Sequence, residues 1–268
     1  MTPRPPGDGP VLLTSAQRTS TTVLLAEAAA ARGLETAVPT GPATVDGLAG
    51  RPVHWYGGPL AAARIAGPLG LALLEPEDDW LARLPEEFTG RRIELTTLAE
   101  AWTLTRPAFV KPPSDKSLPP AVYPDGTRLP RHGERIGPDT PVLVSDPVTF
   151  GAEYRLFVLD GEVVTGSRYA RFGRLDPGPF TAGAADFARR LLAEVGATLP
   201  SAVALDVGSL LDPYDPAEGW AVVEANLPWF AHSYAADPAR VLDVVLRAAG
   251  PAAEVRSADR RFVRSGRV

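Results

Sequence analysis

The sequence of 268 residues contains no cysteine and only one methionine. Without cysteine, the chain forms no disulfide, thiolate zinc site or iron–sulfur cluster and has no cysteine nucleophile. Its histidines, His54, His132 and His232, lie too far apart in the chain to predict a multi-histidine metal site. No apolar run approaches the about 20 residues of a transmembrane helix. The first ten residues also lack the apolar core of a signal peptide, so we expect a cytoplasmic protein with no membrane partner.

Lysine is almost absent as well. The 27 basic residues comprise 25 arginines and two lysines, Lys111 and Lys116. Arginine enrichment is typical of GC-rich genomes, but a lysine kept against that bias suits a role that needs a compact charge, such as binding a phosphate oxygen. The net charge of −5 provides no general attraction to nucleic acid, so we expect no nucleic-acid partner.

The order of apolar segments predicts two folded regions. Short strands alternate with helical stretches through residue 105, which predicts a small parallel α/β domain over residues 11–105. One of these strands is expected at Leu71–Leu74. From residue 106 the pattern changes, and Asp160–Gly161 between two apolar strands is typical of a hairpin turn. Residues 106–252 therefore predict an α+β domain with antiparallel sheets.

The two ends of the chain carry few apolar residues. Residues 1–10 are rich in proline and predict a flexible leader. Residues 253–268 are rich in arginine and predict a solvated basic tail.

Three oxygen-bearing side chains lie on two consecutive strands. Asp206 faces away from its apolar neighbours, and Glu224 and Asn226 share one face of the next strand because they are two positions apart. A hairpin centred on Asp215 places Asp206 opposite Glu224. Two carboxylates and an amide oxygen without thiolate or imidazole suit Mg²⁺. The alternative is that the acids are unrelated and solvated.

Basic side chains occupy nearby predicted strands. Lys111 lies at the end of the predicted apolar strand Ala108–Val110, Arg155 lies on the first strand of the hairpin, and Arg168 lies just past the second. Together with the acidic set they are typical of a Mg–nucleotide site. Taken singly, each could instead form a surface ion pair, which contributes only about 0–1 kcal/mol.

In their order along the chain these motifs resemble the ATP-grasp superfamily. Phe109–Pro112 is similar to the strand whose lysine contacts the ATP phosphates, and Val142–Val148 is similar to the hinge that binds adenine. Glu153–Arg168 is similar to the hairpin of the glutamate ligases that modify protein C-termini. The resemblance implies a pre-ATP-grasp domain over residues 11–105 and a catalytic ATP-grasp domain over residues 106–252.

The resemblance also implies roles for individual residues. Asp206, Glu224 and Asn226 match the family's magnesium ligands. The expected nucleotide contacts are Lys111, Lys116, Val144, Ser145, Asp146, Val148 and Glu153, the last toward the ribose. No lysine precedes Lys111, where the family has its first ATP lysine, so Lys116 is a possible substitute. Ala204 stands where many members have arginine, so Arg155 and Arg168 are expected to act as catalytic residues on the transferring phosphate.

The implied activity is ADP-forming ligation of a carboxylate to an amine through an acyl phosphate. The implied cofactors are ATP and two Mg²⁺ ions, with Mn²⁺ as an alternative metal. The substrates would be small molecules or peptides, bound by Arg18, Trp229, His232 and Tyr234, and a homodimer remains open. The alternatives are a kinase-like phosphotransferase, an inactive nucleotide-binding module and an NAD-dependent oxidoreductase. The missing Gly-x-Gly-x-x-Gly motif disfavours the oxidoreductase.

Overall fold

The computed structural model of the protein describes residues 9–114, 118–131, 133, 136–211 and 219–264. The strands are β1 (Val11–Thr14), β2 (Glu35–Ala37), β3 (Val53–Tyr56), β4 (Leu71–Leu73), β5 (Ile93–Thr97), β6 (Ala108–Lys111), β7 (Ala121–Tyr123), β8 (Pro141–Ser145), β9 (Phe150–Leu159), β10 (Glu162–Arg171), β11 (Arg174–Pro179), β12 (Ala202–Leu210), β13 (Gly219–Asn226) and β14 (Ala249–Pro251). The helices are α1 (Ser20–Ala31), α2 (Pro42–Asp46), α3 (Pro59–Leu69), α4 (Glu86–Thr89), α5 (Leu98–Ala101), α6 (Ala182–Val195) and α7 (Pro238–Ala248). One small parallel sheet and several antiparallel pairings confirm the predicted fold class.

The N-terminal part is built on a parallel sheet in the order β2-β1-β3. All four residues of β1 are buried, and α1 begins at the Thr19 cap, whose hydroxyl accepts from the amide of Thr22. The strand β4 does not join this sheet, because its backbone pairs with β14 from the other end of the chain. Thus the predicted parallel layer is confirmed for three strands, and the fourth predicted strand lies elsewhere.

A four-stranded antiparallel sheet follows, in the order β5-β8-β6-β7. Its two central strands, β8 and β6, are apolar and buried, and they pack with Leu98, Leu118 and Leu129. Since β5 precedes residue 105 and β8 follows it, this sheet takes strands from both sides of that position. Lys111 is the last residue of β6.

The second antiparallel sheet has five strands in the order β11-β10-β9-β12-β13. The predicted hairpin turn is present, and Asp160 and Gly161 both adopt left-handed backbone angles, with φ of 52° and 82°. One face of the sheet is covered by α6, which buries Phe187 and Leu191 against Tyr154 and its neighbours. The other face carries Asp206 and Arg155 and borders the core shared with β1, β3 and α7.

The segment 252–264 corrects the prediction of a solvated tail. Phe262 is only 3% exposed, and Val263 forms a bridge with Leu74. The buried carboxylate of Asp259 accepts from the amide and the hydroxyl of Ser201. The buried ring of Phe262 and the buried carboxylate of Asp259 therefore hold this segment against the protein, although its arginine content predicts a solvated tail. The rest of the tail and the first eight residues of the predicted leader lie outside the described residues.

Residues 227–237, called here the crossing segment, connect β13 to α7 and contact both the N-terminal part and the five-stranded sheet. Gly57 donates its amide to the carbonyl of Trp229, and the amide of Ser233 donates to Thr21 at the start of α1. The amides of Ala235 and Asp237 donate to hydroxyls of β10. The segment thus ties the N-terminal sheet to the five-stranded sheet. Among the described residues, no helix is long and apolar enough to cross a membrane.

Candidate nucleotide and metal site

The hairpin of β12 and β13 brings the two predicted metal-binding carboxylates together. Asp206 lies directly opposite Glu224, which confirms the predicted register. Immediately beyond this pair Val207 pairs with Val222, so Val223 is an extra residue and forms a bulge. Asn226, two residues after Glu224, donates its side-chain amide to Asp206 at 3.1 Å and to Glu224 at 2.9 Å.

Asp206 is held by Arg155 from the neighbouring strand. The two residues are directly paired across β12 and β9, and the guanidinium forms a fork with the carboxylate. Nε lies 2.8 Å from Oδ1 and Nη2 lies 2.7 Å from Oδ2. Only 1% of the Asp206 side chain and 11% of the Arg155 side chain are exposed. Arg155 is therefore committed to Asp206, a partner that sequence analysis had not assigned to it.

Glu224 is held by Lys111 from the four-stranded sheet. The Lys111 ammonium lies 2.5 Å from Oε2 of Glu224. Lys111 is buried at the end of β6, while the Glu224 side chain remains 36% exposed. This contact joins the two antiparallel sheets at the place where the predicted phosphate-binding lysine and the predicted metal ligands meet.

Burial and the neighbouring cations together shift the pKa values of the two acids in opposite directions. Burial raises the pKa of Asp206 to about 6, although Arg155 acts to lower it. Burial would also raise the pKa of Glu224, but the adjacent Lys111 ammonium outweighs burial and leaves that pKa below its usual value. Arg155 and Lys111 thus each favour the ionised form of the carboxylate that they contact.

The donor chemistry of these residues fits a hard divalent cation. Two carboxylates and an amide group converge, and Mg²⁺ is commonly held by one or two carboxylates together with substrate phosphates. Within the described ranges, no group of three or more His, Cys, Asp or Glu side chains could hold a metal ion by itself. Mg²⁺ usually keeps several water ligands and also binds substrate phosphates, so it does not need a complete set of protein ligands.

Beside Arg155 lies a group of two tyrosines and a third carboxylate. Tyr169 donates its hydroxyl to Oε2 of Glu153 at 2.9 Å, and its ring stacks on Tyr234 with centroids 5.4 Å apart. The guanidinium of Arg155 lies 5.7 Å from the Tyr169 ring and 5.6 Å from the Tyr234 ring. Burial raises the pKa of Glu153, and the charge of Glu224 adds to the increase.

The structure does not bring Arg168 into this cluster. A regular ladder continued from the Leu159–Glu162 pair would place Arg168 opposite Glu153, but Val164 is an extra residue in β10 and shifts the register by one. Arg168 therefore lies within β10 opposite Tyr154, and it binds Asp176 of β11 through its guanidinium. The expectation that it faces the site together with Arg155, from a position just past the strand, is wrong.

The predicted hinge lies at the end of β8. Val144 and Ser145 are buried, and Ser145 is flanked by Ile93 and Phe109 on the two neighbouring strands. Asp146 accepts from Arg106 at 2.6 Å, and Val148 lies in the short link to β9. The backbone of this link thus borders the junction of the two antiparallel sheets, while Lys116 lies outside the described residues.

The four predicted substrate residues have different environments. Trp229 is fully buried and donates its indole N–H to the carbonyl of Leu74, so its predicted contact with substrate is wrong. The prediction came from its position just after the predicted metal ligands, but its large apolar ring belongs to the core. Tyr234 and His232 lie near each other, with ring centroids 6.0 Å apart. Arg18 is exposed in the β1–α1 loop, which the crossing segment approaches through Ser233 and Thr21.

Sequence analysis missed two side chains that contact the strands carrying the predicted site residues. One is Tyr169, whose hydroxyl reaches Glu153. The other is Arg91, which is 8% exposed, donates to the carbonyls of Thr89 and Val222, and lies 5.6 Å from the ring of Phe150. Burial lowers the pKa of Arg91 to about 10. Its single sequence signal, a basic residue before an apolar strand, is common to many surface arginines.

The two antiparallel sheets and the lysine–carboxylate cluster between them define an ATP-grasp protein. A family model for the ATP-grasp domain matches residues 88–244, more than half of the chain. The chain therefore belongs to the ATP-grasp family. Proteins of this family bind ATP, and ATP-grasp enzymes as a class are ligases that form amide or peptide bonds.

Comparison with solved structures agrees on the fold. A RimK-domain ATP-grasp protein from Sphaerobacter thermophilus DSM 20745 is 18% identical, with a TM-score of 0.51 over 89% of this chain and 100% of the other. The ATP-grasp ligase PsnB in complex with a minimal precursor is 14% identical, with a TM-score of 0.47 over 89% and 99%. The D-alanine–D-alanine ligase of Bacillus anthracis is 12% identical, with a TM-score of 0.46 over 90% and 96%. No curated protein matches the sequence.

Proposed function

We propose that the protein is a Mg²⁺–ATP-dependent, ADP-forming carboxylate–amine ligase that works through an acyl phosphate. The observation that carries this proposal is the contact of Lys111 with Glu224 at 2.5 Å. It joins a strand-end cation of one antiparallel sheet to the carboxylate cluster of the other. A lysine point charge and a set of hard oxygen donors at one junction match the two needs of phosphoryl transfer, which are positioning and charge neutralisation.

In this proposal the nucleotide lies along the junction of the two sheets. Val144, Ser145, Asp146 and Val148 of the hinge would contact the adenine, and Glu153 would accept from the ribose. Lys111 would bind phosphate oxygens, for which its buried stem and compact charge are suited. Lys116 remains a possible second contact.

Asp206, Glu224 and Asn226 would hold Mg²⁺, which supplies charge neutralisation on the phosphates when bound. Arg155 holds Asp206 in place and balances its buried charge, so we assign it to the metal ligand rather than to the phosphate. The rings of Tyr169 and Tyr234 both lie against the Arg155 guanidinium.

The reaction would then proceed in two displacements. An oxygen of the acceptor carboxylate attacks the γ-phosphorus, and ADP leaves with the electron pair of the broken bond. The amine next attacks the acyl carbon, inorganic phosphate leaves, and the amine gives up a proton. Lys111 would hold the phosphate oxygens during the first displacement, when the charge on the leaving ADP increases.

The acceptor, a small molecule or a peptide, would lie toward the N-terminal sheet. The β1–α1 loop with Arg18 and the crossing segment with His232 and Tyr234 approach each other there. The amides at the start of α1 and the guanidinium of Arg18 favour an anionic group on this acceptor.

The test is ADP release from Mg–ATP with pools of carboxylates and amines, using Glu224→Gln as the matched inactive variant. The expected result is ADP formation that requires both a carboxylate and an amine and is lost in the variant. A phosphorylated product formed without an amine would indicate a phosphotransferase instead. Tight ATP binding with no ADP in any pool would indicate a nucleotide-binding module and refute the ligase assignment.

A further inference from the structure

The β10 strand carries an irregularity next to the site. Arg168 pairs with Tyr154 and Ala170 pairs with Glu153 on β9, so Tyr169 has no partner residue between them. The pairing with β11 is irregular at the same place, since Arg168 pairs with Gly178 and Ala170 pairs with Leu175, but on that side the extra residue belongs to β11. Tyr169 is thus the extra residue of a bulge toward β9. Such bulges re-aim a side chain and occur frequently beside functional sites.

The bulged side chain points toward the carboxylate cluster. Its hydroxyl donates to Oε2 of Glu153, and its ring contacts both Tyr234 and the Arg155 guanidinium. Among the described residues Glu153 forms no ion pair, so this phenol is the donor that fixes the half-buried carboxylate. We propose that Tyr169 is a positioning residue that holds one oxygen of Glu153 and leaves the other for a ribose hydroxyl of the nucleotide. This inference rests on the proposed function.

The chemistry of the donor supports this role. A guanidinium at this place would bind both carboxylate oxygens as a fork and neutralise the charge, as Arg155 does with Asp206. A phenol instead donates one hydrogen bond to one oxygen. The second oxygen of Glu153 is thereby left as the acceptor that a neutral sugar hydroxyl needs.

The backbone around Tyr234 keeps the phenol in place. Tyr234 adopts a left-handed conformation, with φ of 51°, which is unusual for a residue other than glycine. Its ring is half-buried and stacks on Tyr169 with an interplanar angle of 19°. The two stacked rings lie on different elements, Tyr169 on β10 and Tyr234 on the crossing segment. The hydrogen bond from the Ala235 amide to Ser167 of β10 holds these two elements together.

Tyr169→Phe tests the inference, because it removes the hydroxyl and keeps the ring that stacks on Tyr234. Tyr154→Phe is the matched control, since Tyr154 lies on the same sheet but on the face covered by α6. Calorimetry with Mg²⁺ and no acceptor would measure Kd for ATP, 2′-deoxyATP and 3′-deoxyATP. A melting curve of each variant would verify that it is folded.

We expect wild type to bind at least one deoxy nucleotide about 5–12-fold more weakly than ATP, which is the contribution of one hydrogen bond to affinity. We call this ratio of the two Kd values the deoxy penalty. In Tyr169→Phe, ATP binding should weaken by a similar factor and the deoxy penalty should fall below about 2-fold. Tyr154→Phe should retain the wild-type pattern. If Tyr169→Phe binds ATP as tightly as wild type does and keeps the same deoxy penalty, the positioning role is overturned.

Failure of the proposed function would look different. If wild type does not bind ATP, the nucleotide site and this inference are both wrong. If wild type binds ATP and Glu153→Gln leaves the deoxy penalty unchanged, Glu153 does not accept from the ribose. The role of Tyr169 is then overturned while the ligase proposal stands.

Discussion

Replacing Arg155 by methionine should destabilise the protein through Asp206 rather than through the loss of packing. The substitution removes two charge-assisted hydrogen bonds of 2.8 and 2.7 Å and leaves a carboxylate that is 1% exposed without its cation. Removing one partner of a buried pair costs about 3–5 kcal/mol, because the remaining charge is desolvated and unpaired. Urea-induced unfolding of the nucleotide-free protein would measure this loss.

Two further variants separate this cause from others. Arg155→Met with Asp206→Val removes both charges and should be more stable than Arg155→Met alone, by at least about 1 kcal/mol. Arg189→Met is the matched control, because Arg189 binds Asp186 at the same 2.7 Å but its side chain is 73% exposed. That control should cost less than about 1 kcal/mol. If Arg155→Met were no more destabilising than Arg189→Met, the buried pair would not have the energetic role assigned to it.

Glu224→Gln should abolish Mg²⁺-dependent ADP formation, and retained turnover would refute the metal assignment. Lys111→Ala should raise the Kd for ATP in calorimetry about 10–150-fold, the effect of losing a charge-assisted hydrogen bond. Burial lowers the pKa of His54, so the unfolded chain binds a proton more readily and the free energy of unfolding should decrease as pH falls through 6.5. His54→Gln should remove that decrease in pH-dependent denaturation curves. Arg18→Ala should raise KM for the acceptor and leave KM for ATP unchanged in steady-state kinetics; equal losses for both would place Arg18 elsewhere.

The parts of the site that sequence predicted well depend on local geometry. The pairing of Asp206 with Glu224 follows from the loop between two strands of one hairpin, and Lys111 follows from its place at the end of an apolar strand. The pairing of Arg155 with Asp206 could not be predicted in this way. It depends on β9 lying beside β12, and these residues are 51 positions apart in the chain.

Trp229 and Phe262 show a second limit, which concerns burial. Sequence position placed the indole of Trp229 beside the substrate and left Phe262 in a solvated tail. In the structure both rings are buried. The Trp229 indole donates to the carbonyl of Leu74, and the backbone carbonyl of Phe262 accepts from the amide of Glu75. Which large apolar ring fills the space beside a given strand is decided by tertiary packing, and alternation along one segment does not reveal it.

Bulges account for the remaining differences at the site. Alternation assigns each side chain of a strand to one face, and a single extra residue reverses that assignment for everything beyond it. Val164 reverses β10 in this way, so Arg168 leaves the face of Arg155 and Tyr169 takes that face instead. A second skip at Tyr169 and another at Val223 flank the carboxylates. The alternation of apolar and polar residues therefore predicts which strands carry the site, whereas the bulges determine which of their side chains reach it.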